Sequence, residues 1–317
     1  MHIALFFWDR LPVPDYGGTQ RMVVSLARGL AAAGHRVTLV AGRGSVVPEA
    51  TLIPVSLEEA RRPEFDIRPI LPAGLDIVLA CAPLRTPPDI PWIRRLAGNW
   101  KPGITGARNT LYLSRNHAER HGGTAFVYNG VDPAEYLFRD HKDDYDLFLG
   151  RLHTVKGYGW AVSGAKRLRR RMLIAGGWRP SLSRYVRYVG RVGGTRKTEL
   201  LAGARTLWMP ALWDEPFGIT LIEALVSGTP VLGTRRGSLP EIVSPAVGAL
   251  GDTLEELVER RPALDAIAPE ACRAWVERHF THHVMAEGYV RMFRHYLQTG
   301  ILPAGESVGQ KSVNSKK

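Results

Sequence analysis

The chain has 317 residues, 45% of them hydrophobic and 9% aromatic, and it carries a formal net charge of +12. This length suits two globular domains of ordinary size. No apolar run approaches the ~18 residues of a membrane span, and the apolar residues 3–8 are too short and wrongly flanked for a signal peptide, so they are expected to form a buried strand.

The net charge indicates which classes of partner the protein could bind, and the cysteine content indicates its redox environment. The net charge favours polyanions such as nucleotides or an anionic membrane surface. The basic residues are mostly Arg, occur in several scattered groups and accompany no nucleic-acid-binding motif, so nucleic acid is not expected as a partner. A GC-rich genome would give the same Arg excess with no functional meaning. Cys81 and Cys272 have no metal-type spacing and are expected to be buried thiols in a reducing cytoplasm.

Hydrophobic patterning predicts alternating strands and helices in two halves. In the first half, strands are predicted at 3–8, 37–41, 51–54, 76–80, 110–113 and 125–128, with a helix at 20–33 and a Pro-rich stretch, 82–102, without assignment. In the second half, strands are predicted at 146–149, 172–175, 187–189, 206–209 and 231–232, and helices at 158–168, 195–201, 219–226, 253–260, 269–280 and 283–297. Such alternation predicts two doubly wound α/β domains facing across a cleft, with ligands at the carboxyl ends of the strands.

The predicted domains follow from this pattern. Residues 1–140 are expected to form the first domain and residues 141–280 the second, with 141–145 as the linker. A helix in 281–300 is expected to pack back on the first domain, and the tail 301–317 is expected to be disordered.

Residues 213–241 carry the most informative pattern, WDEPFGITLIEALVSGTPVLGTRRGSLPE. Free amides at the start of its helix, beside Gly218, are expected to form a diphosphate pocket. The carboxylates of Glu215 and Glu223 flank that pocket, where they would bind hydroxyls of a sugar–diphosphate–ribose ligand. Arg151 and Lys156 follow the strand 146–149 and are expected to form the opposite wall, neutralising a diphosphate leaving group without a metal.

Two adjacent glycines, Gly17 and Gly18, follow the first strand. They would let backbone amides approach a phosphate or a sugar from the first domain, and a tight loop without a ligand is the other interpretation.

Several motifs, in this order along the chain, resemble the GT-B fold retaining glycosyltransferases of family 4 (glycosyl transferases group 1). They read YGGTQRMVVSLARGLAAAGHRVTLVA (16–41), YNGVD (128–132), GRLHTVKG (150–157), YVGRV (188–192) and the 213–241 pattern described above. The resemblance implies two Rossmann-like domains and a metal-independent transfer of a sugar from a nucleotide-sugar, expected to be a UDP-sugar, to an unidentified acceptor with retention of configuration.

The resemblance also implies roles for individual residues. Arg151 and Lys156 would stabilise the leaving diphosphate, and Glu215 would hold hydroxyls of the donor sugar, which makes these three the expected catalytic residues. Glu223 would bind the ribose hydroxyls. The other donor-binding residues implied are Gly17, Gly18, Arg191, Val192, Phe217, Gly218 and Ile219.

The chain departs from the family in the first domain. The family usually carries a His after the strand that ends near residue 80, and residues 76–83, DIVLACAP, contain none. His117 is a candidate substitute, and a surface position on a helix is the other interpretation.

No metal site is expected from the sequence. A DxD pattern at 144–146 precedes a strand instead of following one. His279, His282 and His283 lack a carboxylate or Cys partner at suitable spacing, so they are interpreted as a solvated helix face.

Three further functions remain open from the sequence. One is a nucleotide-sugar epimerase or hydrolase of the same fold. A second is a nucleotide-sugar-binding protein at a membrane surface that has no turnover. A third is a nucleic-acid binder, for which the sequence contains no motif. The acceptor would be lipid-linked, a saccharide or a small molecule, and the protein is expected in the cytoplasm, with a peripheral position on the inner face of the membrane compatible with its charge.

Overall fold

The computed structural model of the chain describes residues 1–13, 17–101 and 103–308. Their contacts form two compact units. The first unit contains residues 1–13, Gly17–Gly130 and the C-terminal segment from His282, and the second contains Val131–Thr281. The chain therefore leaves the first unit at Gly130, before the expected limit at residue 140, and the expected linker 141–145 lies inside the second unit.

A six-stranded parallel sheet forms the centre of the first unit. Its strands are β1 (His2–Phe7), β2 (Arg36–Gly42), β3 (Thr51–Val55), β4 (Ile77–Ala80), β5 (Trp92–Arg95) and β6 (Thr110–Leu111), in the spatial order β3-β2-β1-β4-β5-β6. This is the order 3-2-1-4-5-6 of doubly wound nucleotide-binding sheets. β5 lies in the stretch that had no assignment, and the predicted strand 125–128 contributes only an isolated bridge between Tyr112 and Phe126.

Helices cover the faces of this sheet. They include α1 (Gly18–Ala32), α2 (Leu57–Arg61) and α3 (Arg115–Arg120). The apolar positions of α1 at helical spacing, among them Met22, Leu26 and Leu30, are buried with the strands in one core, as the pattern predicted. The two short helices, α2 and α3, were not predicted, because each has too few residues to show a helical period.

The second unit repeats the same sheet. Its strands are β7 (Asp146–Leu149), β8 (Met172–Ala175), β9 (Val186–Gly190), β10 (Leu207–Met209), β11 (Val231–Thr234) and β12 (Gly248–Gly251), in the order β12-β11-β10-β7-β8-β9, and all pairs are parallel. Its helices are α4 (Tyr158–Leu168), α5 (Gly194–Gly203), α6 (Ile219–Val226), α7 (Leu239–Ile242), α8 (Leu254–Arg260) and α9 (Pro269–His279). Two doubly wound α/β units are thus confirmed, while β12 and α7 were not predicted.

The last helix, α10 (His282–Thr299), belongs to the first unit. It packs beside α1 and buries Met285, Tyr289 and Phe293 in the core of that unit. Residues 301–308 also pack on this unit, since Leu302 is buried and the Gly305 amide donates to the Thr124 carbonyl at 2.9 Å. This part of the tail was wrongly predicted to be disordered, and residues 309–317 lie outside the described residues. Among the helices that the structure describes, none combines the length and apolar character needed to cross a bilayer.

A buried ion pair joins two strands of the second sheet to the segment after α8. The Arg261 guanidinium, 0% exposed, donates from Nε and Nη2 to the two carboxylate oxygens of Asp146 at 2.8 and 2.5 Å. The indole of Trp208 on β10 donates to the same carboxylate at 3.0 Å. Such a pair is satisfied only in this geometry, so Asp146 of the DxD pattern serves the core of the sheet.

Candidate active site

The strand order of the second sheet defines where a ligand site is expected. β7 lies between β10 and β8, so the connections after β7 and after β10 depart in opposite directions and leave a crevice at the carboxyl ends of these strands. Residues 150–157 follow β7 and residues 210–218 follow β10. The chain therefore brings its GRLHTVKG and WDEPFG motifs to the same edge of one sheet.

Lys156 is placed by a tight turn. Residues Thr154–Lys156 form one 3-10 turn, and Gly157 ends it in the left-handed conformation, with φ 72°. A Cβ atom on Gly157 would overlap the Pro210 carbonyl oxygen, so only glycine lets the two loops touch here. The Leu212 amide donates to the Val155 carbonyl at 2.8 Å, which joins the loop after β7 to the loop after β10.

These loops bring Lys156 and Glu215 into direct contact. Lys156 Nζ lies 2.5 Å from Glu215 Oε2, with the two side chains 17% and 11% exposed. The Trp213 indole donates to the same Oε2 at 2.9 Å, and the Lys156 ammonium lies 4.6 Å from the centroid of the Trp213 ring. The cation and the carboxylate are thus held in one orientation at the sheet edge. They had been expected on opposite walls, and Trp213 had not been assigned a role.

The loop after β11 supports the backbone around Glu215. Gly237 has φ 59°, and a Cβ atom there would lie 2.3 Å from the Glu215 nitrogen. The Ser238 amide donates to the Glu215 carbonyl at 2.9 Å, and its hydroxyl donates to the Phe217 carbonyl at 2.8 Å. Gly237 and Ser238 therefore fix residues 215–217, a role that the RRGSLPE motif did not reveal because it depends on contacts distant in sequence.

The start of α6 provides free backbone donors beside this pair. Gly218 is the N-cap residue and makes no side-chain cap bond, and the first turn from Ile219 contains no acidic residue. The amides at this end and the helix dipole favour an anion. The Phe217 side chain is buried against Phe280, so only its backbone could meet a ligand.

Glu223, further along α6, is enclosed by two other side chains. Lys197 Nζ on α5 lies 2.5 Å from Glu223 Oε1, with the side chains 7% and 3% exposed. The Tyr136 hydroxyl donates to the same Oε1 at 2.9 Å. The expected ribose ligand is thus a buried, charge-compensated carboxylate. Lys197 falls four positions before the buried Leu201 on α5, and this helical spacing was the one sequence signal for it.

The remaining predicted residues of this unit lie at the same sheet edge. Arg151 follows β7, is exposed, and forms no ion pair with any residue that the structure describes. Arg191 and Val192 follow β9, where the Gly176 amide donates to the Gly190 carbonyl at 2.8 Å. Arg151 and Arg191 are exposed and Val192 is buried, so the site edge is rich in positive charge.

In the first unit, Gly17 and Gly18 begin α1. Gly17 is its N-cap and makes no side-chain cap bond, and the first turn has no acidic residue. Tyr16 of the YGGTQ motif lies outside the described residues. Cys81 directly follows β4, is buried, and has its pKa raised to about 11 by burial. A group with that pKa remains a thiol at neutral pH.

His117 is neither a surface residue nor an available acid or base. It is 1% exposed on α3, where its Nδ1 accepts from the Leu113 amide at 3.3 Å and its Nε2 lies 3.2 Å from the Gly98 carbonyl. Burial lowers its pKa to about 3. Both ring nitrogens are engaged by backbone, so the interpretation of His117 as a helix-surface residue was wrong.

The other histidines also differ from their expected environment. His282 is buried, and its ring lies 3.9 Å from that of the exposed His283. The His279 ring meets the Trp275 ring edge-on, with the centroids 4.4 Å apart, and burial lowers the pKa of His279. A uniformly solvated helix face was therefore wrong for this group. Over the described parts of the chain, His, Cys, Asp and Glu residues do not assemble in threes that could hold a metal ion.

Two family descriptions match the chain. Residues 145–296 match the family described as Glycosyl transferases group 1, and residues 16–128 match Glycosyltransferase Family 4. Together the two matches cover most of both units.

The chain is also similar to solved structures of glycosyltransferases. A glycosyltransferase involved in avilamycin A biosynthesis is 28% identical, with a TM-score of 0.77 over 95% of this chain and 99% of that chain. Anabaena HepE, solved in complex with UDP, has a TM-score of 0.68 over 93% of this chain and 100% of its own, and its 14% identity shows the fold alone.

One curated relative is a GDP-mannose-dependent phosphatidylinositol monomannoside mannosyltransferase of Corynebacterium glutamicum. It is 33% identical over 124 residues, which is 33% of this chain and 32% of that protein. The chain spans about a third to a half of the length of the curated relatives that it matches first.

Proposed function

Because the chain belongs to the group 1 glycosyltransferases of family 4, we propose that it transfers a sugar from a nucleotide-sugar donor to an acceptor, without a metal and with retention of configuration. The Lys156–Glu215–Trp213 arrangement at the carboxyl edge of the second sheet is the observation that carries this proposal. It holds a cation and a carboxylate side by side, next to the free amides of α6.

The arrangement matches the charges of such a donor. A diphosphate leaving group gains negative charge as the bond to the sugar breaks, and Lys156, Arg151 and the α6 amides would stabilise that charge. Glu215 would accept hydrogen bonds from hydroxyls of the donor sugar. Since the Lys156 ammonium and the Glu215 carboxylate touch, the sugar and the phosphate would be bound at adjacent points, as they are in a nucleotide-sugar.

The donor is proposed to be a UDP-sugar, for which the UDP complex of HepE offers structural precedent. The Corynebacterium relative is named for GDP-mannose, so GDP-sugars form the comparison set. An epimerase or hydrolase of the same fold would release nucleotide or isomer without an acceptor. A binding protein without turnover would release neither product.

Calorimetry against UDP, GDP and their glucose and mannose conjugates tests the proposal. We expect Lys156→Met to weaken binding of the nucleoside diphosphate about tenfold or more, the cost of one hydrogen bond to a charged group. Glu215→Gln should weaken binding of the nucleotide-sugar more than that of the nucleotide. Lys166→Met, at an exposed position on α4, is the control and should bind as the wild type does.

Two outcomes would contradict the proposal. One is a wild-type protein that binds no member of the panel, and the other is a Lys156→Met variant that binds as tightly as Lys166→Met. Chelation with EDTA should leave nucleotide-sugar binding unchanged, because side-chain cations and amides supply the counter-charge. A loss of binding on chelation, restored by Mg²⁺, would overturn the metal-independent mechanism.

A further inference from the structure

Glu223 is a carboxylate that is almost completely buried. It projects from the second turn of α6 and is 3% exposed. An ionised carboxylate at such a site is costly unless opposite charge and hydrogen bonds compensate it.

Compensation comes from two separate parts of the second unit. Lys197 reaches Glu223 from α5, and Tyr136 reaches it from the segment that follows the entry of the chain into this unit at Val131. Both contact the same oxygen, Oε1, at 2.5 and 2.9 Å, and the Lys197 ammonium also lies 5.9 Å from the centroid of the Tyr136 ring. These three side chains are here called the Glu223 cluster.

The cluster fixes the direction of the carboxylate. Two donors on one oxygen hold the carboxyl plane and determine where the other oxygen points. The Lys197 ammonium lies directly against the carboxylate, and a carboxylate oxygen is a strong acceptor for a hydroxyl donor. Because α5 follows the β9 loop and α6 follows the β10 loop, the cluster joins two loops of the candidate donor edge.

We propose that Lys197 and Tyr136 are positioning residues that hold the Glu223 carboxylate oriented to bind the ribose hydroxyls of the donor nucleotide. The inference rests on the proposed function, since it requires a ribonucleotide in the site. Lys197 and Tyr136 touch Glu223 and act through it. The competing explanation is an ion pair that only ties α5 to α6.

The two explanations differ in a ligand-dependent measurement. We would measure the affinities of UDP and 2′,3′-dideoxy-UDP by calorimetry, with GDP and its dideoxy form in parallel. The wild type is expected to prefer the ribonucleotide by about tenfold or more, as hydrogen bonds to a charged acceptor imply. Lys197→Met and Tyr136→Phe are expected to lower that ratio to within about twofold, while thermal denaturation reports separately on stability.

Tyr145→Phe is the matched control. Tyr145 is a buried tyrosine of the same unit whose hydroxyl donates to the Leu200 carbonyl of α5 at 2.9 Å, without contact to Glu223. It should keep the wild-type ratio even if its melting temperature falls. Tyr136→Phe leaves no unpaired charge, so it decides the outcome if Lys197→Met does not fold.

The results would distinguish failure of the positioning role from failure of the proposed function. A wild type that prefers the ribonucleotide, with variants that keep the same ratio, would reject the positioning role and leave the glycosyltransferase proposal intact. A wild type that binds neither UDP nor GDP would reject the proposed function and the inference with it. Loss of the preference in Tyr136→Phe, but not in Tyr145→Phe, would support the inference.

Discussion

Gly237 is a residue whose replacement should affect the site through the backbone, without a change to any charged side chain. Its backbone has φ 59°, and its missing Cβ makes room for the Glu215 backbone. Glu215 in turn contacts Lys156 and Trp213. A shift of the Glu215 backbone would thus move the carboxylate away from its partners, and small displacements of reacting groups are costly.

We predict that Gly237→Ala lowers donor turnover at least tenfold, because the added methyl group would displace the Glu215 backbone. The control is Gly74→Ala, which has a similar φ of 74° but open space around the added atom. Both variants should lose about 1 kcal/mol of stability from the left-handed backbone. Equal turnover in the two variants, measured as nucleotide release, would show that the fit around Glu215 is unimportant.

The position of charged residues at the sheet edge was predictable from the sequence, whereas the residues that hold them in place were not. Lys156 and Glu215 stand out because a cation after a strand and a carboxylate before a helix have evident uses at a sheet edge. Trp213 and Lys197 act through contacts across 2 and 26 positions of the chain, respectively. Such contacts depend on how loops and helices pack against one another. The hydrophobic periodicity of a single segment does not predict this packing.

At the scale of elements, strands in the sheet centre were predicted more reliably than short elements at its margin. β1, β7 and β8 contain the apolar runs IALFF, LFL and MLIA, as expected for strands buried on both faces. β12 reads GALG and α3 reads RNHAER, and neither has enough apolar periodicity to be recognised. Tertiary packing places them, since α3 carries the buried His117 into the first unit.

The buried His117 predicts a pH dependence of stability for the first unit. The pKa of His117 is lowered to about 3 in the folded state from its ordinary value of 6.5. The unfolded chain therefore binds the proton more readily between these values, and the contribution to stability is lost as pH falls from about 6.5 towards 3. Denaturant titrations of His117→Asn should show a shallower loss of unfolding free energy over this range than those of the wild type.

A variant at another histidine provides the comparison. His295 is exposed on α10, and its replacement by Asn should leave the acid dependence of the wild type unchanged. If His117→Asn and His295→Asn gave parallel curves of unfolding free energy against pH, protonation of His117 would not contribute to acid unfolding.

At the scale of the whole molecule, the net positive charge comes from one stretch of the chain. Residues 147–198 contain 13 Lys and Arg and no Asp or Glu, whereas the rest of the chain holds 29 Lys and Arg and 30 Asp and Glu. The basic residues are spread along the chain, and it is their excess over acidic residues that falls in this stretch. A GC-rich genome would spread Arg along the chain, so this asymmetry favours a role in binding polyanions.

The loop between β8 and β9 is the part of this stretch best suited to an anionic membrane surface. Trp178 is 71% exposed, Leu182 is fully exposed, and Arg179 and Arg184 lie between and beside them in exposed positions. Trp at a lipid interface and Arg near anionic headgroups are both favourable. The loop follows β8 at the carboxyl edge of the sheet, the edge that carries the candidate donor site.

We therefore predict that the protein sediments with vesicles of anionic phosphatidylglycerol, that added salt releases it, and that neutral phosphatidylcholine vesicles do not bind it. The double variant Arg179→Glu/Arg184→Glu should lose most of this binding. Arg43→Glu/Arg108→Glu changes the net charge equally at exposed sites of the first unit and should keep it. Equal losses in the two variants would assign the binding to net charge instead of this loop, and equal binding to neutral vesicles would exclude an electrostatic membrane interaction.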